Sequence, residues 1–498
     1  MSTIPTAREN YIKGTLLTTF GDDRWTVGDA VEGVQVFGAT GSGKTSGSGA
    51  HLARAFLDPN NGDYGGFGGL VLTAKGDERK SWEEMLAAVG RDGDLLPFSP
   101  KEEGYFNFLA YEQQHEHDSG LTQNLVSLFL TALSGGGSAS VSSSDPYWDE
   151  ALREMLTHTV DLAILGGQKR RGESTHSASL DLALMFDIVR SAPRDLKEAE
   201  SPAWRKSSLC AYLLIESERR RQINGEAAMS DGRKGDLDQT QSYWLRDFPT
   251  LAERTRSIVM SSFTAKAAGL LRSPLRELLC AGPSLGALDQ YAPERSFEGK
   301  IILLELPVNH FDEVGRFAQI LYKTVWQRAV WRRELLGDWR PVFLWADESQ
   351  YFVTKGDALF QQTARSKFAS TVYLTQNLPN YQAALGGGGG SEQAAESLLG
   401  NLQTKIFHAN GDPSTNEWAE RVFARRDVSS TAPGGDQSAS SASFSRGAEP
   451  MVPARRFTEL RTGGARNGKT VDGFVIQAGR KLCRKGTNVE PHPFPQEP

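Results

Sequence analysis

Cysteine is scarce in this sequence, which has three cysteines among 498 residues. Cys210, Cys280 and Cys483 are far apart, and neither a Cys-x-x-Cys pair nor a nearby pair of histidines accompanies them. The sequence therefore supports neither a disulfide framework nor a zinc site, and it favours a reducing cytoplasm.

Long apolar runs are also missing. Stretches such as Ile301–Leu304 are short and are followed by charges such as Glu305, whereas a membrane-spanning helix needs about 20 apolar residues. Residues 1–13 lack the apolar segment of a signal peptide. We therefore expect a soluble protein.

The chain has no excess of positive charge. Its net charge of −6 excludes a nucleic-acid binder that is basic as a whole, but not a local basic channel. Short basic clusters are present, each more typical of a solvated surface than of a phosphate contact. They are residues 169–171, 219–221, 254 with 256, 332–333 and 425–426.

Two kinds of sequence pattern alternate along the chain. In residues 31–110 and 250–425, short β-branched runs precede helical patterns, which is typical of βα units around a parallel sheet. Apolar spacing in residues 111–248 is helical, and strand-like runs are rare there. The candidate core strands are residues 34–37, 69–72, 301–306, 341–346 and 370–374. We predict an α/β fold with a mostly parallel central sheet and an inserted all-α domain.

A glycine-rich segment follows the first candidate strand. It consists of Gly38, Ala39, Thr40, Gly41, Ser42, Gly43, Lys44, Thr45 and Ser46. Its first eight residues match the Walker A pattern, in which backbone N–H groups and the start of a helix, here expected at about Lys44, hold phosphates. We expect Lys44 to contact the β- and γ-phosphates of ATP and the Thr45 hydroxyl to hold Mg²⁺. The alternative is a flexible Gly-Ser turn before a helix.

Two acids, Asp347 and Glu348, follow the apolar strand 342–346. This is a Walker B pattern, and burial of the strand places its carboxyl end beside the phosphate loop. We expect Asp347 to hold Mg²⁺ and Glu348 to orient and deprotonate the attacking water. The alternative is a strand that ends in solvated acids. A third strand ends at Gln376, whose amide could sense the γ-phosphate.

Several segments together resemble the coupling-protein ATPases of conjugation and type IV secretion, the TraG/TraD type. The resemblance covers roughly residues 30–480, and its strength lies in the order and spacing of the motifs. Besides the Walker motifs, the segments that carry the resemblance are residues 69–77, which end in Lys75-Gly76-Asp77, and residues 105–109, 147–148, 364–367, 374–377, 401–412 and 457–460.

The resemblance implies a RecA-like P-loop motor that forms a hexameric ring around DNA, with nucleotide at the subunit interfaces. Residues 1–110 and 249–450 would form the nucleotide-binding domain, and residues 451–498 a tail that packs on it. Residues 111–248 would be an all-α domain that engages a relaxase or other cargo. Gln376 would be the γ-phosphate sensor. Arg365 would reach a neighbour's nucleotide, although a solvated helix arginine is an equal alternative.

The chain departs from this family in three places. Coupling proteins usually carry N-terminal transmembrane helices, yet the Walker A motif begins here at residue 38, so we expect membrane contact only through partners. Thr73 and Ala74 replace the usual Asp-Pro before Lys75-Gly76, and Phe108 replaces a proline. The role of the Lys75 segment is therefore left open.

The leading hypothesis is an ATP-driven DNA translocase of the coupling-protein type, located in the bacterial cytoplasm. One alternative is a soluble HerA/FtsK-like motor for DNA processing or defence. Another is a nucleotide-gated receptor that binds and delivers protein substrates. DNA-stimulated hydrolysis would separate the two DNA motors from the receptor.

Overall fold

The computed structural model describes residues 7–115, 121–134, 146–167, 180–223, 231–280, 290–386, 390–423, 425–431, 444–480 and 490–496. The strands are β1 (Leu16–Phe20), β2 (Asp23–Thr26), β3 (Val34–Phe37), β4 (Gly68–Leu72), β5 (Leu95–Phe98), β6 (Ile301–Leu304), β7 (Val342–Ala346), β8 (Ala369–Thr375), β9 (Thr404–Phe407), β10 (Arg425–Thr431), β11 (Phe444–Pro450), β12 (Thr470–Gln477) and β13 (His492–Pro495).

Helices occupy most of the remaining described residues. They are α1 (Ala7–Gly14), α2 (Val27–Ala30), α3 (Ala50–Leu57), α4 (Glu78–Ala88), α5 (Phe108–His115), α6 (Leu121–Ser134), α7 (Pro146–Leu165), α8 (Leu182–Arg190), α9 (Leu196–Glu200), α10 (Pro202–Ser207), α11 (Leu209–Ile223), α12 (Asp231–Ser242), α13 (Phe248–Thr250), α14 (Glu253–Leu270), α15 (Leu275–Leu279), α16 (Glu294–Phe297), α17 (Val308–Arg332), α18 (Gly356–Ala364), α19 (Leu378–Ala384), α20 (Ser391–Asn401) and α21 (Pro413–Val422).

Nine of the described strands form the central sheet, in the order β13-β12-β9-β3-β8-β7-β4-β6-β5. The strands from β9 to β5 pair in parallel, whereas β12 pairs antiparallel with β9 and β13 antiparallel with β12. Two separate hairpins, β1–β2 and β10–β11, complete the strands. The predicted α/β fold with a mostly parallel sheet is confirmed.

All five predicted core strands form; β3 has the predicted ends, and the other four differ from the prediction by one or two residues. The strand predicted to start at Pro341 begins at Val342, since proline has no N–H to donate to a ladder. Side chains alternate between the two faces of the sheet, because the side-chain period of a strand is two residues. Leu344 faces one apolar core together with α17, while Phe343 and Trp345 face a second core that includes α3.

The region between β5 and β6 contains helices and no strand among its described residues. Helices continue past residue 248 as far as Phe297, so the helical region is longer than the segment expected from sequence. It packs on the sheet through α17, whose buried residues share a core with those of α6 and α7. Among the residues described, no helix is both long enough and apolar enough to cross a membrane.

Candidate nucleotide site

Four loops meet at one edge of the sheet, because β3, β4, β7 and β8 run parallel and end there together. Phe37 pairs with Thr375 at the ends of β3 and β8, and Leu72 pairs with Ala346 at the ends of β4 and β7. Residues 38–45, 73–77, 347–350 and 376–377 follow these strands. The carboxyl edge of such a sheet is the usual place for a ligand site.

The Walker A segment forms a tight loop against the neighbouring strands. The Gly38 N–H donates to the Thr375 carbonyl at 3.2 Å, and the Ala39 N–H donates to the Ala409 carbonyl at 3.0 Å. Gly43 has a φ of +85°, a left-handed conformation that favours glycine. A Cβ at this position would lie 2.4 Å from Val471 Cγ2, so the loop also requires glycine for space.

The sequence predicted a helix that starts at about Lys44, but the segment after the loop does not begin as a regular α-helix. Residues Thr45–Gly49 form a π-helical turn, and α3 continues from Ala50. Ser42 Oγ is buried and has no hydrogen-bond partner. Gly43, next to Ser42, lines the cleft between the loop and α4, so the backbone there can face a phosphate ligand.

Lys44 and Thr45 each contact one of the Walker B acids. Lys44 Nζ lies 3.3 Å from Glu348 Oε1, and both side chains are almost fully buried. The Thr45 hydroxyl donates to Asp347 Oδ2 at 2.9 Å. A hydroxyl and a carboxylate held together supply the hard oxygen ligands that Mg²⁺ prefers, so these two residues fit the predicted metal role.

Glu348 is the most closely held of the acids. Its backbone is left-handed, with φ 49° and ψ 46°, which costs roughly 1–2 kcal/mol for a residue with a Cβ. Gln350 Nε2 and Gln376 Nε2 donate to its Oε2 at 2.9 and 3.1 Å. Burial tends to raise the pKa of this carboxyl, but the Gln350 hydrogen bond and the Lys44 and Lys75 ammonium groups more than offset it and lower the pKa overall. Glu348 is therefore a charged, oriented carboxylate at neutral pH.

Gln376 thus lies at the end of β8, against the second Walker B acid. Its own carbonyl accepts a hydrogen bond from Asn410 Nδ2 at 2.8 Å. The next residue, Asn377, instead caps α19 by accepting from the Asn380 N–H. The amide of Gln376 is therefore directed into the site and that of Asn377 is not.

Arg365 is not part of this chain's own site. It precedes β8, at the opposite edge of the sheet from Gln376, which follows β8. Its side chain is 62% exposed and lies 3.1 Å from Glu32 Oε1. A contact between Arg365 and nucleotide therefore requires another subunit.

Two further residues enter the site that were not among the predicted ones. Lys75 Nζ lies 3.5 Å from Glu348 Oε1 and 3.9 Å from Asp347 Oδ2. Glu78 Oε1 accepts hydrogen bonds from the N–H groups of Ala74 and Lys75, each at 2.8 Å. Burial, with a smaller contribution from Asp347, raises the pKa of Glu78 to about 8. The sequence signal for these two residues was the Lys75-Gly76-Asp77 segment, whose role the resemblance to coupling proteins left open.

A buried histidine supports the Walker A helix from the other side. His408 Nδ1 lies 2.8 Å from the Asp472 carbonyl, which can only accept, so Nδ1 carries the proton. Nε2 then accepts from the Ser48 hydroxyl at 2.6 Å. Burial lowers the pKa of His408 to about 4, so it is neutral. It connects the π-helical turn after the phosphate loop to β12, which lies within the predicted tail.

A cleft of about 480 Å³ opens between the Walker A loop and α4. Lys44, Thr45, Lys75, Asp347 and Glu348 line it. The cleft therefore exposes ammonium, hydroxyl and carboxylate groups on one surface. This is the donor set that a magnesium–triphosphate requires.

The basic clusters are mostly occupied by contacts within the chain. Arg221 pairs with Asp238 at 2.8 Å, Arg332 with Glu112 at 3.2 Å, and Arg333 donates to the Lys367 carbonyl. Arg256 donates to the Leu251 carbonyl. Residues 169–171 lie outside the described residues, and the side chains of 425–426 are not described. Several arginines of the described clusters thus already have partners within the chain, although Arg219 is 66% exposed.

The sequence comparison and the structure comparison each identify a coupling protein similar to this chain. No protein-family model matches the chain. The chain is 26% identical over 450 residues to the type 4 coupling protein DotL of Legionella pneumophila, covering 82% of this chain and 52% of DotL. It therefore spans about half the length of that relative.

The fold matches that of the bacterial conjugative coupling protein TrwB. An unbound form, TrwBdeltaN70, superposes with a TM-score of 0.58 at 14% identity, over 97% of this chain and 92% of TrwB. TrwB with a non-hydrolysable GTP analogue and TrwB with ADP and Mg²⁺ give TM-scores of 0.57 and 0.56, each at 14% identity over 97% of this chain and 90% of TrwB. The predicted resemblance to coupling proteins is confirmed, and so is the predicted fold.

Proposed function

We propose that this chain is a magnesium-dependent ATPase. The observation that carries the proposal is the pairing of both Walker motifs at one edge of the sheet, Lys44 with Glu348 and Thr45 with Asp347. TrwB, which shares the fold, has been crystallised with ADP and Mg²⁺. Mg²⁺, when bound, would neutralise charge on the β- and γ-phosphates.

The residues of the site then have separate tasks. Lys44 and the loop N–H groups bind the phosphates, and Thr45 with Asp347 holds the metal. Glu348 lies at the end of β7 with its proton removed, so it can orient a water molecule and accept its proton. Gln376 holds the other oxygen of that carboxylate, and from there it can report on the γ-phosphate.

Two substitutions test this assignment. Lys44→Ala should abolish ATP hydrolysis, because it removes the ammonium group that would bind the β- and γ-phosphates. It also removes the contact between the loop and Glu348. Glu348→Gln should still bind ATP but turn over about 10² to 10⁴ times more slowly, the usual contribution of a general base. Undiminished hydrolysis by either variant would remove that residue from the mechanism.

We further propose that the ATPase serves as a type IV coupling protein, a DNA translocase that works as a homo-hexamer. The similarity to DotL and the fold shared with TrwB support this. The chain would act in the bacterial cytoplasm and meet the membrane and the secretion system through partners. The helical region between β5 and β6 would bind a relaxase or other cargo, and Arg365 would complete a neighbour's site.

A second candidate is a nucleotide-gated receptor for protein substrates. It is favoured by Arg221, Arg332 and Arg333 of the basic clusters, because acids or a carbonyl within the chain already hold them. A motor that neutralises many DNA phosphates shows binding that weakens steeply with salt. The alternative of a HerA/FtsK-like DNA motor is supported only by the candidate ATPase site, which every motor considered would share.

One experiment separates these functions. ATPase rate is measured without DNA, with single-stranded DNA and with double-stranded DNA, and the mass is measured by light scattering under the same conditions. Stimulation by DNA together with a hexameric mass supports the translocase. Hydrolysis that ignores DNA favours the receptor, and a monomer under all conditions contradicts the ring.

A further inference from the structure

Lys75 lies in the loop after β4, where its ammonium group approaches both Walker B acids. We propose that Lys75 is a positioning residue for hydrolysis, which holds the Glu348 carboxylate once bound phosphates have engaged Lys44. This inference rests on the proposed ATPase function and adds a residue to it.

The need for a second ammonium group follows from the position of Lys44. In this structure Lys44 is the closer cation to Glu348 Oε1, at 3.3 Å. A Walker A lysine contacts the β- and γ-phosphates when nucleotide is bound. The same ammonium cannot keep its full contact with Glu348 at that time, so this oxygen depends on the next cation, Lys75, at 3.5 Å.

The two oxygens of the carboxylate are held differently. Oε2 accepts from the neutral amides of Gln350 and Gln376. Oε1 faces only the two ammonium groups among the contacts described for it. Without Lys75 and with Lys44 on the phosphates, this carboxylate would be held at one oxygen only and could rotate away from the water.

The backbone beneath Lys75 is fixed, while its side chain can adjust. Glu78 accepts from the N–H groups of Ala74 and Lys75, and the Thr73 hydroxyl donates to the Leu304 carbonyl at 2.6 Å. The Lys75 side chain is 50% exposed into the cleft. A fixed base with a movable ammonium suits a residue that follows the carboxylate when Lys44 moves.

The first test compares the kinetics of three variants. Lys75→Met should lower kcat about tenfold, which is less than the roughly 10² to 10⁴ contributed by the base that it positions, and leave the Kd of a fluorescent ATP analogue within about twofold. Lys75→Arg should recover most of the rate. Lys80→Met is the matched control, because Lys80 is exposed on α4 and pairs only with Glu84 among its described contacts.

The second test asks whether Lys75 acts through Glu348. In a Glu348→Gln background, Lys75→Met should reduce kcat less than about twofold, since residues that act as a unit are non-additive. The melting temperatures of the two single variants and the double variant, measured without nucleotide, should be non-additive as well. The melting experiment needs no ATPase activity.

Four results would overturn the inference. They are an unchanged kcat, a loss that persists in full in the Glu348→Gln background, a rate restored by excess Mg²⁺, or additive melting temperatures. Restoration by Mg²⁺ would mean that Lys75 acts through Asp347. If the wild-type chain hydrolyses no ATP, the proposed function fails, and the melting temperatures still decide whether Lys75 and Glu348 interact.

Discussion

Lys323 and Asp357 form an ion pair beneath the loop that follows Glu348. Their side chains are 0% and 2% exposed. Lys323 Nζ donates to both oxygens of Asp357 at 2.7 and 2.6 Å and to the Phe352 carbonyl at 2.7 Å. Asp357 also accepts from the Thr354 N–H. The pair thus ties the loop after β7 to α17 and α18.

Asp357→Asn is expected to destabilise the protein strongly, because it leaves the Lys323 ammonium buried without a counter-charge. Breaking a buried pair in this way costs about 3–5 kcal/mol. At about 2–4 °C per kcal/mol for domains of moderate size, the melting temperature should fall by roughly 6–20 °C. Asp338→Asn is the control, because Asp338 is fully exposed and its pair with Arg8 is a surface contact, whose loss should change stability little.

The stability lost in Asp357→Asn should also depend on pH and should become smaller as the pH rises. Burial lowers the pKa of Lys323 in the folded state, and Asp357 only partly offsets this. Without Asp357, the folded pKa falls further below the unfolded value of about 10.4, so the unfolded chain binds more protons between the two values. The stability of Asp357→Asn should therefore recover as the pH rises from about 7 toward 9.

A double substitution sharpens the test. Lys323→Met in the Asp357→Asn background removes the buried charge and should restore part of the lost stability, as hydrophobic replacement of buried pairs often does. The reasoning is refuted if Asp357→Asn has the same melting temperature as the Asp338→Asn control. It is also refuted if adding Lys323→Met to Asp357→Asn lowers the melting temperature further.

Three further predictions concern the nucleotide site. Gly43→Ala should abolish nucleotide binding measured by fluorescence titration, because its Cβ would lie 2.4 Å from Val471 Cγ2 at a φ of +85°; normal binding would show that the loop can rearrange. Thr45→Val should raise the Mg²⁺ concentration needed for half-maximal hydrolysis, and an unchanged requirement would remove the hydroxyl from the metal site. Arg365→Ala alone should be inactive, whereas mixing it with Lys44→Ala should restore part of the rate; no recovery in the mixture would contradict action across subunits.

The sequence was most informative where function depends on adjacent residues. The Walker A loop and the acids at 347 and 348 follow strands directly, so their pattern predicts their place at the sheet edge. Lys75 is different, because its partner Glu348 is far away in sequence and the contact exists only after β4 and β7 pair. No local pattern encodes such a contact.

The C-terminal region shows a second limit. Residues 451–498 were expected to be a tail on the core, because proline, glycine and arginine are frequent there. Among the described residues, β12 instead extends the central sheet, and its Val471 packs against Gly43 of the phosphate loop. Antiparallel pairing with β9 depends on main-chain groups and on a few buried apolar residues, which a short segment of mixed composition does not reveal.

Arg365 illustrates what one chain cannot supply. Seven residues of β8 separate it from the sheet edge where Gln376 lies, and at about 3.3 Å per residue this strand spans roughly 23 Å. An arginine side chain cannot bridge that distance, and Arg365 already has a partner in Glu32. If Arg365 contributes to hydrolysis, it must therefore do so in the site of a neighbouring copy, and forming that contact would require the pair with Glu32 to open. Activity of the chain as an isolated monomer would exclude that role, which makes the oligomeric state during turnover the measurement on which the arginine assignment depends.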